Sequence, residues 1–213
     1  MNKQIFVICL ISLISLISST SSASASDQQK YVYIIRHGEK NYDTEMGLNE
    51  VGVRHANCLA DYYFGPFPLG SPEYGMAKSS RTIRPIETLD IIANKLNIST
   101  VNCTKNESVK DVAKNVLKTL VDHNNVLLVW ENNIIPQLAT TLGCTTCKSW
   151  NYNPMAKKHN PHFFNSTWVL TFPYRTDYKL RNVKDYKVTL RVYDQNFIND
   201  ECQPEFEYTF RQF

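Results

Sequence analysis

The sequence carries no strong excess of charge of either sign: 23 Lys and Arg stand against 20 Asp and Glu in 213 residues, a formal net charge of +3. Such a balance gives no reason to expect nucleic acid or an anionic membrane as the main partner, so any anion binding must come from individually placed residues. Internal repeats and a domain linker are also lacking. With 43% hydrophobic and 12% aromatic residues, the length suits one sizeable core and is too short for two ordinary enzyme domains. A metal-ligand pattern is missing as well. Cys144-Thr145-Thr146-Cys147 has no second Cys pair or His-x-His to complete a zinc site, and a structural disulfide is the expected use of that pair.

A long apolar run is the last absence. Ile5 to Ile17 is interrupted by Ser12 and Ser15 and is short for a bilayer span, so no stable membrane span is expected. Lys3 precedes this run and Ala23-Ser24-Ala25 follows it, the order of a secretory signal. Residues 1–25 are therefore expected to be removed, leaving residues 26–213 as one domain that is secreted or endolysosomal. Four Asn-x-Ser/Thr sequons agree with that route, and Asn97, Asn102, Asn106 and Asn165 are expected to be glycosylated; the three packed between Asn97 and Ser108 suggest an exposed loop. Without Cys9 the cysteines are Cys58, Cys103, Cys144, Cys147 and Cys202. That odd number predicts one thiol left free or paired between chains, and oligomeric state stays open.

What is present alternates between strand and helix patterns. Tyr31 to Ile35 is a short apolar run rich in β-branched and aromatic residues, suited to a central buried strand, with Arg36-His37-Gly38 opening the next loop. Asn49 is placed to cap a helix through Ala56, Leu59, Ala60 and Tyr63. Phe64 to Pro72 reads as a loop and Tyr74 to Ala77 as a short strand. Helical stripes follow at Leu89, Ile92, Ala93 and Leu96, and at Val112, Ala113, Val116, Leu117 and Leu120. Val126 to Trp130 predicts a second central strand, followed by a helix through Ile135, Leu138, Ala139 and Leu142 that ends at Gly143. Lys148 to Pro161 reads as a long surface loop. Trp168–Phe172, Lys187–Tyr193 and Phe206–Phe210 are expected as late or edge strands. The alternation predicts an α/β fold of three layers, with a mostly parallel central sheet and helices on both faces.

Ligands of such a sheet bind beyond the carboxyl ends of its strands, where Arg36 and His37 fall. Arg36-His37-Gly38-Glu39, Leu48-Asn49-Glu50-Val51-Gly52 and Ser79-Ser80-Arg81-Thr82-Ile83-Arg84 occur in that order. Together, over Tyr31 to Ala93, they resemble the histidine phosphatase superfamily of phosphoglycerate mutase-like fold. The resemblance implies that His37 is a nucleophile forming a phosphohistidine, with Arg36 and Arg84 clamping the nonbridging oxygens and no metal or cofactor required. Arg81 is left ambiguous, and Glu39 and Lys40 are expected to be structural or rim residues.

The pattern departs at the family's second phosphate-binding histidine, where this chain reads Trp130-Glu131-Asn132-Asn133. Asn132 could donate a neutral hydrogen bond to phosphate, whereas an ionised Glu131 would repel it. The general acid is open among Glu107, Asp111 and Glu131, with Glu131 best placed. His55, His123, His159 and His162 are expected to be structural or solvent-facing. The Lys157-Lys158-His159 loop is read as solvated, although it could meet an anionic substrate. The expected function is hydrolysis of a small phosphorylated substrate. A weakened or inactive phosphate-binding glycoprotein is the alternative, and a phosphomutase is disfavoured because no lid is identifiable.

Overall fold

The computed structural model describes residues 29–40, 46–79, 82–149, 165–203 and 207–212. The expected signal segment, Arg81, His159, His162 and the 157–159 loop lie outside these residues.

The apolar run after residue 29 forms β1 (Gln29–Arg36) at the middle of a seven-stranded sheet. The other strands are β2 (Tyr74–Lys78), β3 (Ser99–Cys103), β4 (Asn125–Trp130), β5 (Ser166–Pro173), β6 (Thr189–Asp194) and β9 (Phe210–Gln212). Their order is β3-β2-β4-β1-β5-β6-β9. The β3-β2-β4-β1 half is parallel, while β5, β6 and β9 extend it antiparallel from β1. β7 (Phe197–Ile198) and β8 (Glu201–Cys202) make a separate small hairpin.

The two-residue period of β1 splits the core. Val32 and Ile34 face one cluster, with the apolar stripes of α3 (Val109–Asp122) and α4 (Ile135–Thr141). Tyr33 and Ile35 face the other, with α1 (Glu50–Cys58), the π-helical turn Leu59–Phe64 that continues it, and α2 (Arg84–Leu96). Helices thus cover both faces of a three-layer α/β fold. Strands buried on both sides need continuous apolar runs, which β1 and β4 supply.

Local signals set the boundaries. Asn49 caps α1 by accepting from the Gly52 N–H at 2.8 Å, and Ser108 with Asp111 forms a capping box on α3. α4 stops before Gly143, whose φ of 103° suits glycine. Cys58–Cys202 ties α1 to the hairpin, Cys144–Cys147 closes the loop after α4, and Cys103 is the free, buried thiol among the described residues.

Two expectations need correction. The stretch holding three sequons is largely the edge strand β3 and a turn rather than a loop, because Ser99 to Cys103 pairs in register with β2. In the last expected run, residues 207–209 lie outside any strand and pairing to Tyr193 begins at Phe210, while Phe206 lies outside the described residues.

Candidate active site

Arg36 and Trp130 are partners in the parallel β1–β4 ladder, and the His37 N–H donates to the Trp130 carbonyl at 3.2 Å. The two chains leave the sheet side by side, so His37 and the Glu131-Asn132 pair emerge from adjacent strand ends. β2 lies on the other side of β4, and the chain leaving it leads to Arg84 in the first turn of α2. Three neighbouring strand ends therefore bring together the residues singled out in sequence.

His37 is 7% exposed, and its Nδ1–H donates to the Gly38 carbonyl at 2.7 Å. A carbonyl only accepts, so Nδ1 carries the proton and Nε2 keeps its lone pair. Burial pushes the imidazole pKa down from 6.5 to about 4; the charges of Arg36 and Arg84 add to this, against the Gly38 hydrogen bond and Glu39. At neutral pH the ring is uncharged. Arg36 is lowered to about 10 by burial and by Arg84, against Glu39, and stays cationic. Burial also lowers Arg84, opposed by the charges of Glu131 and Glu87. Glu131 is thus within electrostatic reach of Arg84.

The loop carrying His37 is held by close backbone contact. A Cβ on Gly38 would meet the Gly52 carbonyl oxygen at 2.8 Å, and one on Gly52 would meet the Glu39 oxygen and nitrogen at 2.5 and 2.7 Å. Only two glycines let the loop pack on the first turn of α1 this tightly. The Gly38 N–H donates to the fully buried Thr88 Oγ1 at 3.0 Å, and Glu87 accepts from the Leu48 N–H at 2.7 Å, which ties the same region to α2. Glu39 accepts from His55 Nδ1–H at 3.1 Å, and His55 Nε2 meets the Gln195 amide at 3.0 Å while its ring stacks on Phe197. Burial raises the Glu39 pKa, but hydrogen bonding to His55, the His55 charge, its own backbone and Arg36 together bring it below the ordinary value. Glu39 and His55 are therefore structural, as expected. Thr88, Glu87 and Gln195 were not anticipated, since a Thr or Gln in an ordinary helix or strand end carries no signal of its long-range partner.

Among the described residues, Asn132 Nδ2, Arg84 Nε and Thr82 Oγ1 are buried side-chain atoms without a hydrogen-bond partner. Two of these are obligate donors, and buried donors without partners are costly unless a ligand satisfies them. An oxyanion suits them. The other acid candidates are used elsewhere: Asp111 in the α3 capping box, and Glu107 accepting from the Thr104 N–H and Asn115 Nδ2. His123 packs at a tilt against Tyr74, near Glu73. Among the described residues, no group of three His, Cys, Asp or Glu could hold a metal ion and no helix is long and apolar enough to cross a membrane.

No protein-family model matches the sequence. No curated protein matches it either. Solved structures do. The mycobacterial glucosyl-3-phosphoglycerate phosphatase is similar at a TM-score of 0.50 and 15% identity, over 76% of this chain and 97% of that one. Phosphoglycerate mutase from Plasmodium falciparum gives a TM-score of 0.46 and 15% identity, over 86% of this chain and 98% of that one.

Proposed function

We propose that this chain, whose fold is similar to that of a solved phosphatase, belongs to the histidine phosphatase superfamily and is a phosphomonoesterase working through a phosphohistidine on His37. The observation that carries the proposal is the His37 ring itself: Nδ1–H is pinned on the Gly38 carbonyl, Nε2 is unprotonated, and two guanidinium groups stand close by. Nε2 attacks phosphorus as the ester P–O bond breaks, and water later takes the phosphoryl group from the ring. Arg36 and Arg84 bind the nonbridging oxygens as charge develops.

Glu131 is the proposed general acid. In the resting site it balances Arg84. As the general acid it gives a proton to the leaving oxygen when the ester P–O bond breaks. Asn132, with its unpartnered Nδ2, supplies one neutral donor to the phosphate where the resemblance expects a histidine. A missing preorganised donor costs on the order of a hundredfold to a thousandfold in rate, so a slow enzyme is expected.

Two disulfides are compatible with an oxidising compartment and with secreted or endolysosomal action on a small phosphorylated substrate. A second reading, phosphate binding without turnover, is favoured by Glu131 and Asn132 standing in the second-histidine position. Hydrolysis of an aryl phosphate by the mature protein beside His37→Ala, with chelator present, separates them. The first reading predicts turnover that His37→Ala abolishes. Phosphate binding with equal, background hydrolysis by both proteins favours the second.

A further inference from the structure

β3 is an edge of the sheet: it pairs with β2 from Tyr74↔Ser99 to Lys78↔Cys103, and among the described residues no strand pairs with its other side. Four of its five residues are exposed, including Val101 at 41%. An open edge displays unpaired backbone donors and acceptors and invites a second chain, so proteins blunt edges with charge, proline, bulges or very short strands. The opposite edge, β9, is three residues long. β3 has none of these devices: Ser99-Thr100-Val101-Asn102-Cys103 contains no charge and no proline, and its pairing runs unbroken for five residues.

It has sequons instead. Asn102 lies within the strand, Asn97 just before it at the C-cap of α2, and Asn106 just after it. All three are exposed, and no hydrogen bond engages their side-chain amides among the described residues. Asn165 differs in every respect. It is half-buried, its Nδ2 donates to the Phe197 carbonyl at 2.9 Å, its Oδ1 accepts from the Phe197 N–H at 3.2 Å, and Thr167 of its sequon is fully buried.

We propose that N-linked glycans on Asn97, Asn102 and Asn106 cap the β3 edge and keep the chain from pairing edge to edge, while Asn165 stays unmodified as the amide bridge to the β7–β8 hairpin. In each modification the Asn amide nitrogen bonds to the anomeric carbon of a polyisoprenyl-pyrophosphate-linked oligosaccharide. The anomeric C–O bond of that donor breaks, the pyrophosphate leaves and one amide proton is released. A bulky, solvated glycan does here what a charge or proline does on other edges. The proposal is independent of catalysis and rests on passage through the secretory pathway.

The protein secreted by cultured cells is treated with an amidase that releases N-glycans in heavy-oxygen water, which converts each occupied Asn to labelled Asp, and its peptides are mapped by mass. Label at Asn97, Asn102 and Asn106 and none at Asn165 is expected; an unlabelled Asn102 or a labelled Asn165 overturns the assignment. The variant Asn97→Gln/Asn102→Gln/Asn106→Gln is then compared with the same variant carrying Val101→Lys. Earlier elution from a sizing column as concentration rises, restored to the wild-type volume by Val101→Lys, is the expected shift, because a lysine on the edge repels a second strand and repairs nothing else. Wild-type elution of the triple variant at every concentration, or failure of the lysine to restore it, overturns the capping role.

Discussion

The contact between Gly52 and the loop behind His37 gives a prediction whose size follows from the structure. In Gly52→Ala the new Cβ would lie 2.5 Å from the Glu39 carbonyl oxygen and 2.7 Å from its nitrogen. Both are backbone atoms, so no rotamer change relieves the clash. Ordinary contact begins at 3.4 Å, and the loop must therefore move by about 0.9 Å. Overpacking of this kind costs about 1–3 kcal/mol, and each kcal/mol lowers the melting temperature by roughly 2–4 °C in a domain of this size, so the fold survives. Catalysis does not: Glu39 is two residues from His37, and a misplacement of about 1 Å costs on the order of a hundredfold in rate. The assay is kcat on an aryl phosphate, with circular dichroism and a melting curve as controls. A Gly52→Ala protein that melts a few degrees lower but keeps wild-type kcat would refute the claim that this contact positions the nucleophile.

Other outcomes follow from the same site. His37 stays neutral until about pH 4, so a ring-nitrogen NMR titration is expected to find its transition there and not near 6.5. The unfolded chain protonates His37 first as pH falls, so its contribution to stability is whole above about 6.5 and is lost on descent through about 4; a His37→Gln protein tracking the wild-type stability curve through that window would contradict this. Glu131→Gln is predicted to slow alkyl phosphates, which need a protonated leaving oxygen, by about 10²-fold or more while largely sparing nitrophenyl phosphate. Equal losses on both substrates would remove Glu131 as the acid. Cys58→Ala/Cys202→Ala opens a loop spanning 144 residues, worth about 5 kcal/mol by chain entropy and commonly 2–5 when removed. A fall in melting temperature on the order of 10 °C is expected, and an unchanged melt would show that the staple contributes little.

The central strands β1 and β4 were legible because strands buried on both faces must be apolar throughout, and the helix stripes of α1 to α4 declare their buried sides. β3 was not legible. Its exposed Ser-Thr-Val-Asn stretch has no apolar period, and only pairing with β2 makes it a strand. The short hairpin and the late start of β9 likewise depend on tertiary contacts, the former on the disulfide to α1 and on the Asn165 amide. The proposed site residues His37, Arg36, Arg84, Glu131 and Asn132 come from motif order, because a strand end followed by such residues is a local pattern. Their supports were not. Thr88 reaches Gly38 from fifty residues away, and Gln195 reaches His55 from 140 residues away, distances at which no local pattern carries information.

The central claim is a covalent one, and trapping the intermediate tests it most directly. Wild-type protein is mixed with a phosphate ester labelled on phosphorus, quenched in alkali within one turnover and digested, and the label is located by mass. A phosphoryl group on His37 that survives alkali and is lost in acid, and that is absent from His37→Ala, is the predicted result. Turnover of the ester with no label on His37 at any quench time would contradict it.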